Sequence, residues 1–175
     1  MEQDRVEQEE RTALARKIMA FLREIGLDVA EDELAGGNSF LPGVRIARGG
    51  LRVDLARLRW PGDLLHEAGH LAVVPAALRA GMDDALAELP PVPHGGEIEA
   101  TAWAWAALQH LRLPSAVLFH EGGYHGHSQG LRMTFELGVY LGAAGLVSAG
   151  LAASPAQAAS SGVAPYPHLQ AWLRA

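Results

Sequence analysis

The sequence predicts an α+β fold: one helix-rich domain with a small antiparallel sheet or hairpin. Three observations carry this. Apolar residues recur at helical spacing in several stretches, while period-two alternation occurs in one, "GVRIARGGLRVDL". About half of the 175 residues are apolar, enough for one core and short for two. No internal repeat divides the chain.

Along residues 5–25, Val6, Leu14, Ile18, Phe21, Leu22 and Ile25 form a helical stripe that Gly26 can stop. Residues 1–33 hold ten acids and five bases, so this acidic helical segment carries most of the net charge of -6. After the loop "AEDELAGGNSF", Val44 and Ile46 share one strand face. Leu51, Val53 and Leu55 share another, with Gly49-Gly50 between them, which predicts a hairpin. "WPGD" supplies a turn and an N-cap, Asp63, for a helix from Leu64 to Val74 that Pro75 ends or kinks. The Pro/Gly-rich stretch after Asp83 precedes a second helix, about Glu97 to Leu111, which stops before Pro114. Trp103 and Trp105 would point opposite ways, one into the core and the other towards a cleft.

"FHEGGYHGHSQG" reads as a polar loop. The apolar run at 135–153 predicts a buried core helix, Phe135–Leu151, in which Gly138, Gly142 and Gly145 permit close packing. It contains Glu136 and lacks basic flanks, so a membrane span is not expected. Residues 152–175 read as a loop and a short final helix, "HLQAWLRA". No Lys/Arg cluster offers a nucleic-acid footprint. The N-terminal "MEQDRVEQEE" is unlike a secretion signal, so a cytoplasmic location is expected. There is no cysteine, so a metal would be held by His, Asp, Glu or water.

"HEAGH", His66–His70, stands out. Residues four apart share a helix face, so His66 and His70 can present two imidazoles to one ion. Zn2+ accepts neutral imidazole and carboxylate in a tetrahedral shell. Glu67 sits beside that face, placed to take a proton from metal-bound water. Between Leu64 and Leu78 the only polar side chains are these three. An unpartnered carboxylate buried on so apolar a helix costs several kcal/mol, which a nearby cation relieves.

A catalytic site of this kind needs a third protein ligand. Asp83, Asp84, Glu88, His94, Glu97, Glu99 and His110 are candidates. Glu97 and Glu99 open the second helix on opposite sides. The Glu97 face continues through Ala100, Thr101, Ala104 and Leu108, mostly small, while the Glu99 face carries Trp103 and His110. Small residues allow a helix to come close to an ion held by its neighbour, which favours Glu97 over Glu99.

"HEAGH" followed by "EIEATAWAWAALQHLRLP" resembles the ImmA/IrrE-type metallopeptidases of the gluzincin class. The match spans about Leu64–Pro114, with Thr101 and Trp103 where the family usually has Asn and Phe. The resemblance implies a zincin-like domain in which His66, His70 and Glu97 hold zinc and Glu67 is the catalytic base. In the second histidine cluster, His120, His125 and His127 with Tyr124, Tyr124 or His125 could stabilise the oxyanion that forms on attack, and a second metal is conceivable. The alternative is a solvated loop.

These readings converge on a zinc-dependent hydrolase, a metallopeptidase acting on a peptide or protein that could add to the edge of the 44–55 hairpin. The rival is a non-enzymatic metal-binding module acting through regulatory or protein contacts. Glu67 argues against it, because a purely structural site has no need of a base.

Overall fold

Helix α1 (Glu2–Glu24) opens the chain in the computed structural model, which describes residues 1–34, 41–84 and 91–175. Ala15, Ile18, Met19 and Leu22 bury one face of it at helical spacing. The stripe starts later than expected: Val6 is exposed, and the first turns extend away from the core.

Strands β1 (Val29–Glu31), β2 (Val44–Ala47) and β3 (Gly50–Val53) form a sheet in the order β1-β3-β2. The expected hairpin is β2–β3, with Val44 opposite Val53 and Ala47 opposite Gly50. Arg48 and Gly49 both take positive φ, as the two-residue turn that matches strand twist requires. β1 pairs with β3 in parallel, so the sheet is mixed rather than antiparallel. Three residues are too few to show a period in the sequence. Part of the outer edge of β2 and the turn after it is already taken by side chains. Asp84 Oδ1 accepts from the Ile46 amide at 2.6 Å and Asp83 Oδ1 from the Arg48 amide at 2.9 Å.

Helix α2 (Asp63–Ala72) carries the HEAGH residues, and Pro75 caps the short α3 (Ala76–Arg79). Helix α4 (Glu97–His110) is buried from Glu99 through Leu108 and lies along α2. Gly69 makes this approach possible: a methyl group there would run into the carbonyl oxygen of Ala100. Both tryptophans of α4 are buried, so neither lines a cleft. The Trp103 indole donates to the Trp172 carbonyl at 2.8 Å, and Trp105 packs against Phe119 and Phe135.

After α5 (Ser115–Leu118) and a 3-10 turn (Tyr124–Gly126), α6 (Ser128–Glu136) ends where a long core helix was expected to begin. Gly138 and Gly142 take positive φ and break the run; the helix resumes as α7 (Ala143–Ser148). Leu137, Val139 and Leu141 are exposed, so the apolar segment is not a core helix. The close approach expected of its glycines does occur, because Gly145 lies directly against the Glu99 side chain. Among the described residues no helix is long and apolar enough to cross a membrane.

The end of the chain reverses the expected order. Helix α8 (Pro155–Ser161) lies where a loop was read, with Ser154 and Gln157 exchanging hydrogen bonds as a capping box and Gly162 ending it. "HLQAWLRA" is not helical. It ties back to α2 and the core, with the Arg174 amide donating to the Ala72 carbonyl at 2.9 Å.

Gly69→Ala tests the α2–α4 packing. Overpacking backbone against backbone should cost about 1–3 kcal/mol. The expected readout is a lower urea midpoint at unchanged slope.

Candidate metal centre

Two turns of α2 and the first turn of α4 build the site. Both imidazoles sit on the same α2 face, their rings edge to face with centroids 4.8 Å apart. The two Nε2 atoms lie 3.2 Å from each other. Glu97, first residue of α4, meets both: Oε1 is 3.1 Å from His66 Nε2 and Oε2 is 3.2 Å from His70 Nε2. Of the alternatives weighed for the third ligand, Glu97 is the one brought to the histidines. Glu99 is buried against Gly145 and accepts from the Gly96 amide at 3.1 Å, closing the helix N-terminus. His110 lies at the far end of α4 beside Phe21 and Trp172. Asp83 and Asp84 cap the β2 edge, His94 is exposed, and Glu88 falls outside the described residues.

The donor set fits a small divalent cation. Ligands about 2.0–2.1 Å from a tetrahedral zinc stand roughly 3.3 Å apart, close to the separations found. The two Nε2 atoms face one point 3.2 Å apart, with one Glu97 oxygen beside each. His66, His70 and Glu97 form the group among the described residues whose ligand atoms could hold an ion, all within 4.8 Å of one another.

Electrostatics follow from this crowding. Burial alone would lower the His66 pKa, but the hydrogen bond and charge of Glu97, with Glu67 and Asp63, hold it above the ordinary 6.5. Hydrogen bonds from His66 and His70 hold the Glu97 carboxyl far below the usual carboxylate range. Burial pushes the Glu67 carboxyl up, against the pull of His70 and His66.

Glu67, His66, His70 and Glu97 line a cavity of about 610 Å³ whose other walls include Leu41, Leu131 and Tyr124. A second cavity, about 550 Å³, adjoins it across Leu41, Asp63, Gly123, Tyr124 and His125. Tyr124 reaches the site with its hydroxyl oxygen 3.2 Å from Nδ1 of His66, the ring nitrogen facing away from the convergence point. Burial, with the charges of Glu97 and Asp63, raises its pKa and keeps the phenol protonated. His125 lines both cavities and His127 the larger one. His120 is not in solvent: it is buried, with Nε2 2.8 Å from Asp63 Oδ1.

That Asp63–His120 pair escaped the sequence reading. Asp63 resembled an N-cap, yet Gly62 caps α2 and the Asp63 side chain makes no capping bond. The available signal was spacing. Asp63 stands three residues before His66, hence on the same helix side, in a segment with few other polar groups.

No family model, curated protein or solved structure matches the chain.

Glu97→Ala should abolish tight zinc uptake while Glu99→Ala retains it and lowers thermal stability, as metal analysis and melting of each variant would show. A metal must displace the His66 proton, and that proton is held more tightly than usual. Zinc affinity should accordingly start to fall above pH 6.5 as the solution is acidified. The slope approaches roughly tenfold per pH unit for one proton displaced, measured by competition with a chelator of known pH dependence.

Proposed function

We propose that this protein is a zinc-dependent hydrolase that cleaves peptide bonds. The observation that carries the reading is the convergence of two imidazole nitrogens and a carboxylate beside a partly buried second carboxylate, Glu67, on the wall of an open cleft. His66, His70 and Glu97 would hold the zinc. The ion supplies Lewis acidity, making water acidic near neutral pH and polarising a carbonyl.

The residues of the chain do the rest. Glu67 accepts the proton of the attacking water and returns it to the leaving nitrogen. Its burial favours this, because a carboxylate with a raised pKa is a stronger base than one in solvent. Leu41 and Leu131 exclude water from one side and suit apolar side chains of a substrate. The cleft continues into a second cavity past Tyr124, a shape that favours an extended chain over a compact small molecule. Because Asp84 occupies the Ile46 amide of β2 and Asp83 the Arg48 amide just beyond it, a peptide binds within the cleft or displaces those carboxylates.

Glu67→Gln tests the reading. The variant should keep its zinc and lose at least about a hundredfold in the rate of cleavage of a peptide library, within the range that general-base catalysis supplies. A variant that cleaves as fast as the wild type removes Glu67 from the chemistry. A wild type that binds zinc but cuts no peptide favours the non-enzymatic module.

A further inference from the structure

The buried pair outside the ligand set has no role in the chemistry above, yet it is built with care. Asp63 and His120 are almost fully buried, with side chains 7% and 4% exposed, and their 2.8 Å contact joins the start of α2 to the loop after α5. Trp60 stacks on the His120 ring at 4.6 Å and 10°. Gly123 lies against the ring edge, 3.1 Å from Cε1 to the position a Cβ would take. From this anchored point the chain needs four residues to reach Tyr124.

Tyr124 is held in an uncommon backbone conformation. Its φ is 53°, and His125 and Gly126 follow at 51° and 84°. A left-handed conformation costs a bulky residue roughly 1–2 kcal/mol, so the surroundings must impose it. What the turn achieves is the placement of the Tyr124 hydroxyl 3.2 Å from His66 Nδ1, with the rings edge to face at 5.2 Å. Ser128 secures the turn from the other side, its hydroxyl donating to the Gly123 carbonyl at 3.0 Å.

An imidazole that gives its Nε2 lone pair to a cation carries its proton on Nδ1, and the partner of that N–H fixes both tautomer and ring angle. We infer that Asp63, His120 and Tyr124 form an outer clamp on His66, in which the buried pair holds the strained turn and the turn holds the ring. Asp63 and His66, three apart on one side of α2, are its two points of attachment. This assigns Tyr124 a positioning role towards His66 in place of an oxyanion contact. The inference rests on the metal reading.

The test is a double-mutant cycle on zinc affinity, with the visible spectrum of the cobalt-substituted protein as a second readout. Tyr124→Phe and His120→Phe should each raise the zinc dissociation constant about tenfold, the lower end of the range for such outer partners, and alter the cobalt bands. The double variant should be no worse than the weaker binder of the two, because both act through one contact. If His120→Phe does not fold, His120→Gln, which keeps a donor for Asp63 but no ring to stack, replaces it in the same cycle. Losses that multiply, or single variants that bind zinc like the wild type with an unchanged cobalt spectrum, overturn the clamp alone. A wild type that takes up no zinc overturns the clamp and the metal reading together.

Discussion

Helices α2 and α4 can lie close enough to share an ion only because Gly69 presents no side chain to the Ala100 carbonyl. The sites on the two helices are otherwise independent. His66 and His70 are placed relative to each other by helix geometry alone, while Glu97 is placed by where α4 starts and how near it packs. At that start Glu99 accepts from the Gly96 amide and lies buried against Gly145 of α7. Two glycines, on the helices flanking α4's first turn, thus allow that turn to pack closely on both sides. An added methyl at either place would separate groups whose usefulness depends on tenths of an ångström.

Around this seam the molecule spends its polar groups selectively. Glu97 is the exposed member of the ligand set, its side chain 63% accessible, while the histidines are largely covered. A cation could approach from the Glu97 side. The loop after α5 closes the other side, bringing Tyr124 and the Asp63–His120 pair against the start of α2. The same loop separates the two cavities, so it shapes the cleft as well as the ring of His66.

The parts legible in the sequence were those set by local spacing. HEAGH required only the helical period, and the hairpin only alternation and a glycine turn. Choosing Glu97 over Glu99 used the small residues of one α4 face, a tertiary fact that leaves a trace in sequence. The parts that were not legible depend on contacts remote in the chain. The run at 135–151 looked helical because glycine is silent in an apolar pattern, yet Gly138 and Gly142 adopt positive φ and break it. The 155–161 helix was hidden among small residues although Ser154, Gln157 and Gly162 spelled its caps. β1 exists through pairing with β3, and Asp63 finds His120 across 57 residues.

Zinc K-edge absorption spectroscopy of the zinc-loaded wild-type protein examines the central claim most directly. The account predicts a four-ligand shell at about 2.0–2.1 Å, containing the multiple-scattering signature of two imidazoles together with carboxylate oxygen. A shell of oxygen alone, or one with a single imidazole, would contradict it.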